Sequence, residues 1–215
     1  MLASFVDSER YKKDQEKTRG LGDLIVLMNP AFEALRFSTI FDMSQERCRS
    51  YKGLPRFVML TTEADKATRY IFPLGRNLSV LFENHRDLNR HICTKDGEVK
   101  LTINEGEADR TTIGHFEPYQ THKLVPLQDK NVRKSDFNYS SLKTAWLDQS
   151  FGSQLDFEGV SLTHLGRTHP LNPYLNIYVD GSLMKNHNDI WGEEMISFFR
   201  DLITMSITHI SETSE

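Results

Sequence analysis

The sequence predicts an α/β fold built on half of a doubly wound, mostly parallel sheet, with a long irregular insertion. Three observations predict it. The stretches "DLIVLMN" (Asp23–Asn29) and "RFVMLTT" (Arg56–Thr62) are nearly continuous apolar runs, the pattern of strands covered on both faces. A third β-type run, "YLNIYVD" (Tyr174–Asp180), alternates more, which suits a place nearer a sheet edge. Segments of helical periodicity lie between and after these runs, the order of a β-α-β arrangement with right-handed crossovers.

The elements follow in chain order. The first twenty residues, "MLASFVDSERYKKDQEKTRG", are charged rather than signal-like and read as the polar tail of a helix. After the first strand, "TIFDMSQERCRSYK" (Thr39–Lys52) is a crossover helix closed by the breaker "GLP". After the second, "FPLGRNLSVLFENH" (Phe72–His85) is helical, with apolar residues at Leu78, Leu81 and Phe82. Residues 86–168 break the pattern: the turn-like clusters "KDGEVK", "NEGEAD" and "QDKNVRKSD" alternate with short β-prone pieces, "HKLVPL" and "GVSLTHL". They read as an irregular insertion or cap over the site. The last helix sets Trp191, Met195, Phe198, Phe199 and Leu202 on one face, with Glu193 and Glu194 in its first turn. Three such strands leave one strongly apolar sheet edge open. Residues 1–215 therefore read as one partial domain, whose edge is covered by another chain, by an absent N-terminal half, or by self-association.

Composition narrows the partners. The 215 residues are 38% hydrophobic and 26% charged, with a net charge of −4, and no basic stripe marks a nucleic-acid or anionic membrane surface. No apolar run approaches the roughly 18 residues of a membrane span. Cys48 and Cys93 form neither a metal pair nor a disulfide framework. This chain reads as cytoplasmic by default, whereas a longer parent could be secreted or a lipoprotein. The eight histidines include no H-E-x-x-H, no Gly-rich phosphate loop follows a strand, and neither a metal nor a cofactor is expected.

Candidate site residues lie at strand ends, where open α/β sheets gather their chemistry. His187 follows the third strand and precedes the last helix. It is either a catalytic base or a loop histidine capped by Asn186, Asn188 and Asp189. Asp65 lies just past the second strand, with Glu63 as the rival acid nearer the strand end. Asn29, at the end of the first strand, is either a pocket-lining amide or the start of a turn. The stretch "GHFEPYQTH" packs the insertion against this rim through Phe116 and Tyr119.

The order of parts resembles the C-terminal half of the α/β-hydrolase fold. "TTEADKATRYIFPLGR" is similar to the acid turn of that family, with Thr62 where glycine is common, and "DGSLMKNHNDIW" to its histidine loop. Together with "GDLIVLMNPAFEALRF" and "IGHFEPYQTHKL", these stretches resemble a group of largely uncharacterised bacterial esterase- or lipase-like hydrolases, over about Gly20 to Leu202. The resemblance implies Asp65 and His187 as the acid and histidine of a catalytic triad acting on a carboxylic ester. The departure is equally plain: no G-x-S-x-G nucleophile elbow occurs. Ser153 in "FGSQL" and Ser182 in "DGSLM" lack the second glycine and the preceding strand. Three classes remain: the C-terminal portion of a serine hydrolase, inactive alone; a truncated, non-catalytic relative that binds a ligand or partner; or an unrelated α/β interaction domain.

Overall fold

The computed structural model describes residues 24–46, 53–80, 83–127 and 139–212. Their order is β1 (Ile25–Met28), α1 (Ala34–Glu46), β2 (Phe57–Thr62), a π-helical turn (Ala67–Ile71) running into α2 (Phe72–Ser79), β3 (Asp87–Thr94), β4 (Gly97–Asn104), α3 (Glu105–Arg110), β5 (His122–Pro126), α4 (Tyr139–Leu147), β6 (Gln154–Phe157), β7 (Val160–His164), β8 (Tyr174–Val179) and α5 (Glu193–Glu212).

A six-stranded sheet runs β1-β2-β8-β5-β7-β6, and β3 and β4 form a separate hairpin. The neighbours β1, β2, β8 and β5 are parallel, whereas β7 pairs antiparallel with both β5 and β6. The protein is thus of mixed α/β class with a mostly parallel sheet. Both faces of that sheet are covered, which is why β2 reads as one apolar run. Val58 and Leu60 face Trp146, Met195, Phe198 and Leu202. Phe57 and Met59 face Phe37, Ile40, Phe41, Phe116 and Tyr119. The half-exposed strand β1 pairs on one side only among the described residues.

Several expectations are corrected. β8 is central, not near an edge: it lies between β2 and β5 and is buried at five of six positions. Its alternation comes from Asn176, whose amide is consumed inside the core by the Ile113 and Tyr119 carbonyls. Residues 86–168 are not an irregular insertion, because they supply the hairpin, α3, and three of the six sheet strands. The crossover helix begins at Ala34, five residues earlier than expected. Leu78 is exposed, while Leu81 and Phe82 lie outside the described residues. Trp191 precedes α5 and is 74% exposed, whereas Met195, Phe198 and Leu202 are buried as the helical period requires. Cys93 is disulfide-bonded, a pairing that cysteine spacing alone does not signal. Among the described residues, no helix is long and apolar enough to cross a membrane.

Candidate acid–histidine site

Two parallel neighbours bring the candidate residues to one rim. β2 and β8 are in register to their ends, with Thr62 opposite Val179, and the Glu63 amide continues the ladder onto the Val179 carbonyl at 3.0 Å. The loops that leave them carry Asp65 and His187. His187 Nδ1 lies 2.7 Å from Asp65 Oδ2. The carboxylate is fully enclosed, whereas the imidazole is 43% exposed.

Asp65 is held by its own turn. Its Oδ1 accepts from the backbone amides of Ala67 and Thr68 at 3.0 and 3.3 Å, and its Oδ2 accepts from the Thr68 hydroxyl at 2.6 Å. Burial disfavours its charge, yet the hydrogen bonds from Thr68 and His187 prevail and hold the carboxyl below the usual Asp value. Because an ionised carboxylate only accepts, the shared proton belongs to His187 Nδ1, and the lone pair is left on Nε2. No described residue bonds Nε2.

A second histidine stands behind the acid. His115 Nε2 lies 3.1 Å from the Thr68 hydroxyl. That hydroxyl has already given its one proton to Asp65, so it accepts from His115 Nε2–H. Burial, with the Arg69 charge beside it, lowers His115 to about 4, which keeps the ring neutral near pH 7. Its neighbour Gly114 passes so close to β2 that an added Cβ would lie 1.8 Å from Thr61 Oγ1. The loop carrying His115 can cross there only without a side chain. Phe116 and Tyr119 anchor that loop in the core, at 1% and 0% exposure.

The His187 loop is fixed at several points. Leu183 and Met184 are buried, and Thr62 Oγ1 donates to the Met184 carbonyl at 2.5 Å. Asn186 and Asp189 accept from the backbone amides of Asn188 and Lys185, not from the imidazole. Asn29 does more than start a turn. Its Nδ2 donates to the His187 carbonyl at 2.8 Å, and its Oδ1 accepts from the Thr62 amide at 3.1 Å. It does so from φ 42°, a left-handed conformation that asparagine tolerates better than most residues. β1, β2 and the histidine loop are thereby tied through one amide. Glu63, the rival acid, turns the other way and accepts from the Gly181 amide at 3.1 Å.

The two candidate serines are engaged elsewhere. Ser182 Oγ donates to Asp180 at 2.6 Å, and Ser153 Oγ accepts from the Ser150 amide at 3.2 Å. A groove of about 550 Å³ passes His115, Tyr178, Lys123 and Arg167, but neither Asp65 nor His187 lines it. Sequence reasoning found the pair and Asn29 but missed Thr68 and His115 as partners of the acid. The only available signal for Thr68 was its place three residues after Asp65, within one helical turn.

Comparison with protein families, with curated proteins and with solved structures matched nothing. The site therefore rests on its own geometry.

Proposed function

We propose that this chain supplies the acid and the histidine of a serine-hydrolase triad acting on carboxylic esters, with the nucleophile delivered from outside the described residues. The hydrogen bond from His187 Nδ1 to the enclosed, ionised Asp65 carries the reading. It leaves Nε2 as a base on a half-exposed ring at the carboxyl end of a parallel sheet. In the reaction, Nε2 takes the proton from a serine hydroxyl as its oxygen attacks the ester carbonyl, and Asp65 stabilises the imidazolium. The same proton then passes to the departing alkoxide. Water repeats the cycle on the acyl-enzyme.

The edge of β1 that is unpaired among the described residues offers a place for the nucleophile. A strand added parallel to β1 would run about 4.8 Å beyond it and end on the rim where Asn29 touches the histidine loop. A residue just past that end would come within reach of His187 without rearrangement of the pair.

The test joins this chain to the polypeptide encoded immediately upstream of it. The joined protein should hydrolyse short-chain aryl esters and be labelled by a fluorophosphonate. His187→Ala should lower turnover by on the order of 10⁶ and Asp65→Ala by roughly 10⁴, the losses known for a subtilisin-type triad, while Glu63→Ala changes little. Hydrolysis that survives His187→Ala refutes the proposal. If the joined protein is folded yet neither labels nor hydrolyses, the alternative stands: a non-catalytic α/β-hydrolase-like protein that binds a ligand or partner.

A further inference from the structure

Away from the acid–histidine rim, three side chains from two segments converge behind the helix that leaves the Asp65 turn. Glu83 and His85 lie in the connection from α2 to β3, and Asp109 lies on α3. One ligand atom from each falls within 4.8 Å of the other two. Such clusters are common on protein surfaces and mean little unless something inside them is unsatisfied.

Here two atoms are. Asp109 is 6% exposed, and its Oδ2 is buried with no hydrogen-bond partner. His85 Nε2 is also buried without a partner, and the two atoms face each other at 3.9 Å. That gap is too long for a hydrogen bond. An orphaned buried carboxylate oxygen is costly to keep.

The surroundings are built to hold the imidazole there. Gly106, on α3, lies against the ring, and an added Cβ would sit 2.9 Å from His85 Cγ. The next residue is clamped to the start of the same helix: the Arg86 carbonyl accepts from the Glu105 amide at 3.0 Å, and the Arg86 amide donates to the Glu105 carboxylate at 3.2 Å. Asn104 caps α3 through the Glu107 amide.

Charge also favours a cation. Arg76 spends its guanidinium on Asp109 Oδ1 at 2.6 Å and on Glu33 at 3.3 Å, which leaves Asp109 Oδ2 untouched. The buried Glu33 and Asp109 and the exposed Glu83 set three carboxylates around the partly buried Arg76 guanidinium. The other cation on Glu33, Arg36, is 69% exposed and well screened by water. A divalent ion would offset the carboxylate charge that Arg76 leaves unmet at Asp109 Oδ2.

We infer that Glu83, His85 and Asp109 form a binding site for a divalent cation of the zinc class, fastening α3 to the connection between α2 and β3. One imidazole nitrogen with two carboxylate oxygens is a donor set that zinc accepts, with water completing the shell. Magnesium and calcium, which take oxygen ligands in larger number, are disfavoured. Ligand atoms around one zinc ion lie roughly 3.3 Å apart at tetrahedral angles. Binding therefore requires a short closure of the His85–Asp109 gap and an inward turn of the exposed Glu83 side chain. The site was not legible as a motif, because Asp109 is far from His85 in the chain and only the β3–β4 hairpin returns it.

The test uses the full chain, free of any histidine tag and stripped with EDTA. Titration with zinc chloride should show one ion bound per chain, together with a rise in the thermal midpoint that EDTA reverses. Cobalt(II) should bind the same site with visible d–d bands. Glu83→Gln and His85→Gln should each weaken zinc by at least about tenfold, the lower end of the effect of disturbing even a supporting contact, and His85→Gln should remove the cobalt bands. Glu83 is exposed, so its substitution keeps the test sound should His85→Gln perturb folding. Absence of zinc binding in the wild-type chain, unchanged affinity in Glu83→Gln, or an equal response to calcium would each overturn the inference.

Discussion

Thr68→Val asks how firmly the acid of the pair is held. The substitution keeps the shape of the side chain and deletes one hydroxyl, which donates to Asp65 Oδ2 at 2.6 Å and accepts from His115 at 3.1 Å. A hydrogen bond to a charged group contributes about 1.5–3 kcal/mol, and leaving a buried donor unsatisfied costs about 1–3 kcal/mol more. Thr68 and Asp65 are both buried, whereas the His115 ring is half-buried and lines the groove, so water recovers part of that loss and the variant should lose about 2–4 kcal/mol near pH 7. The loss should also depend on pH with a definite sign. Asp65 titrates below its ordinary value in the folded protein. Its stabilisation is therefore complete above the unfolded value and disappears as pH falls through the folded one. Removing the Thr68 hydroxyl raises the folded value, so the gap between wild type and variant should narrow below about pH 4. Urea unfolding near pH 7 and pH 3.5 reads both quantities. A gap under about 0.5 kcal/mol near neutral pH, or one that widens on acidification, would refute the reasoning.

Two further predictions rest on the same framework. Asn29→Ala removes both hydrogen bonds that join β1 and β2 to the histidine loop and keeps a Cβ at φ 42°. Asn29→Gly removes the same bonds without that strain, so in urea titrations the alanine variant should be the less stable by about 1 kcal/mol; equal stabilities would contradict the strained conformation. Acid should destabilise the protein well above the carboxylate range. Burial lowers His115 and His164 to about 4 and His122 further, so below about pH 6.5 the unfolded chain binds protons that the folded one does not. Stability should then be fully present above that pH and fall by about 1.4 kcal/mol per pH unit for each such histidine. Burial lowers His169 as well, so His122→Leu should remove roughly a quarter to a third of the slope, and a flat profile between about pH 7 and pH 5 would count against the buried neutral imidazoles.

Part of this structure is legible in the chain and part is not, for physical reasons. β2 announces itself because burial on both faces demands near-continuous apolar residues. β1 reads the same way although it is half-exposed, and β8 is legible as a strand but not as a central one, because Asn176 breaks its apolar run. The placement of Asp65 and His187 follows from the single fact that each lies just past a strand. The strands β3, β4 and β6 are hidden because one face of each meets solvent, so their polar residues read as loop. Lys95 and Asp96 turn the hairpin and Gly97 opens β4 at φ 112°, so the stretch "KDG" carries the glycine signal that short hairpin loops favour. The stretch "NEGEAD" is likewise a helix start, with Asn104 as cap. Thr68–His115 and His85–Asp109 belong to a different category. Each links residues brought together only by the completed fold, and no local pattern could have reported them.

The central claim is that Asp65 fixes the His187 tautomer and leaves Nε2 free as the base. Long-range nitrogen-15 correlation spectra of the ring nitrogens at about pH 8, with His187 assigned by loss of its signals in His187→Gln, measure this directly. The wild-type chain should show a protonated Nδ1 and an unprotonated Nε2, with that preference lost in Asp65→Asn. A His187 that carries its proton on Nε2, or one indifferent to Asp65→Asn, would contradict it.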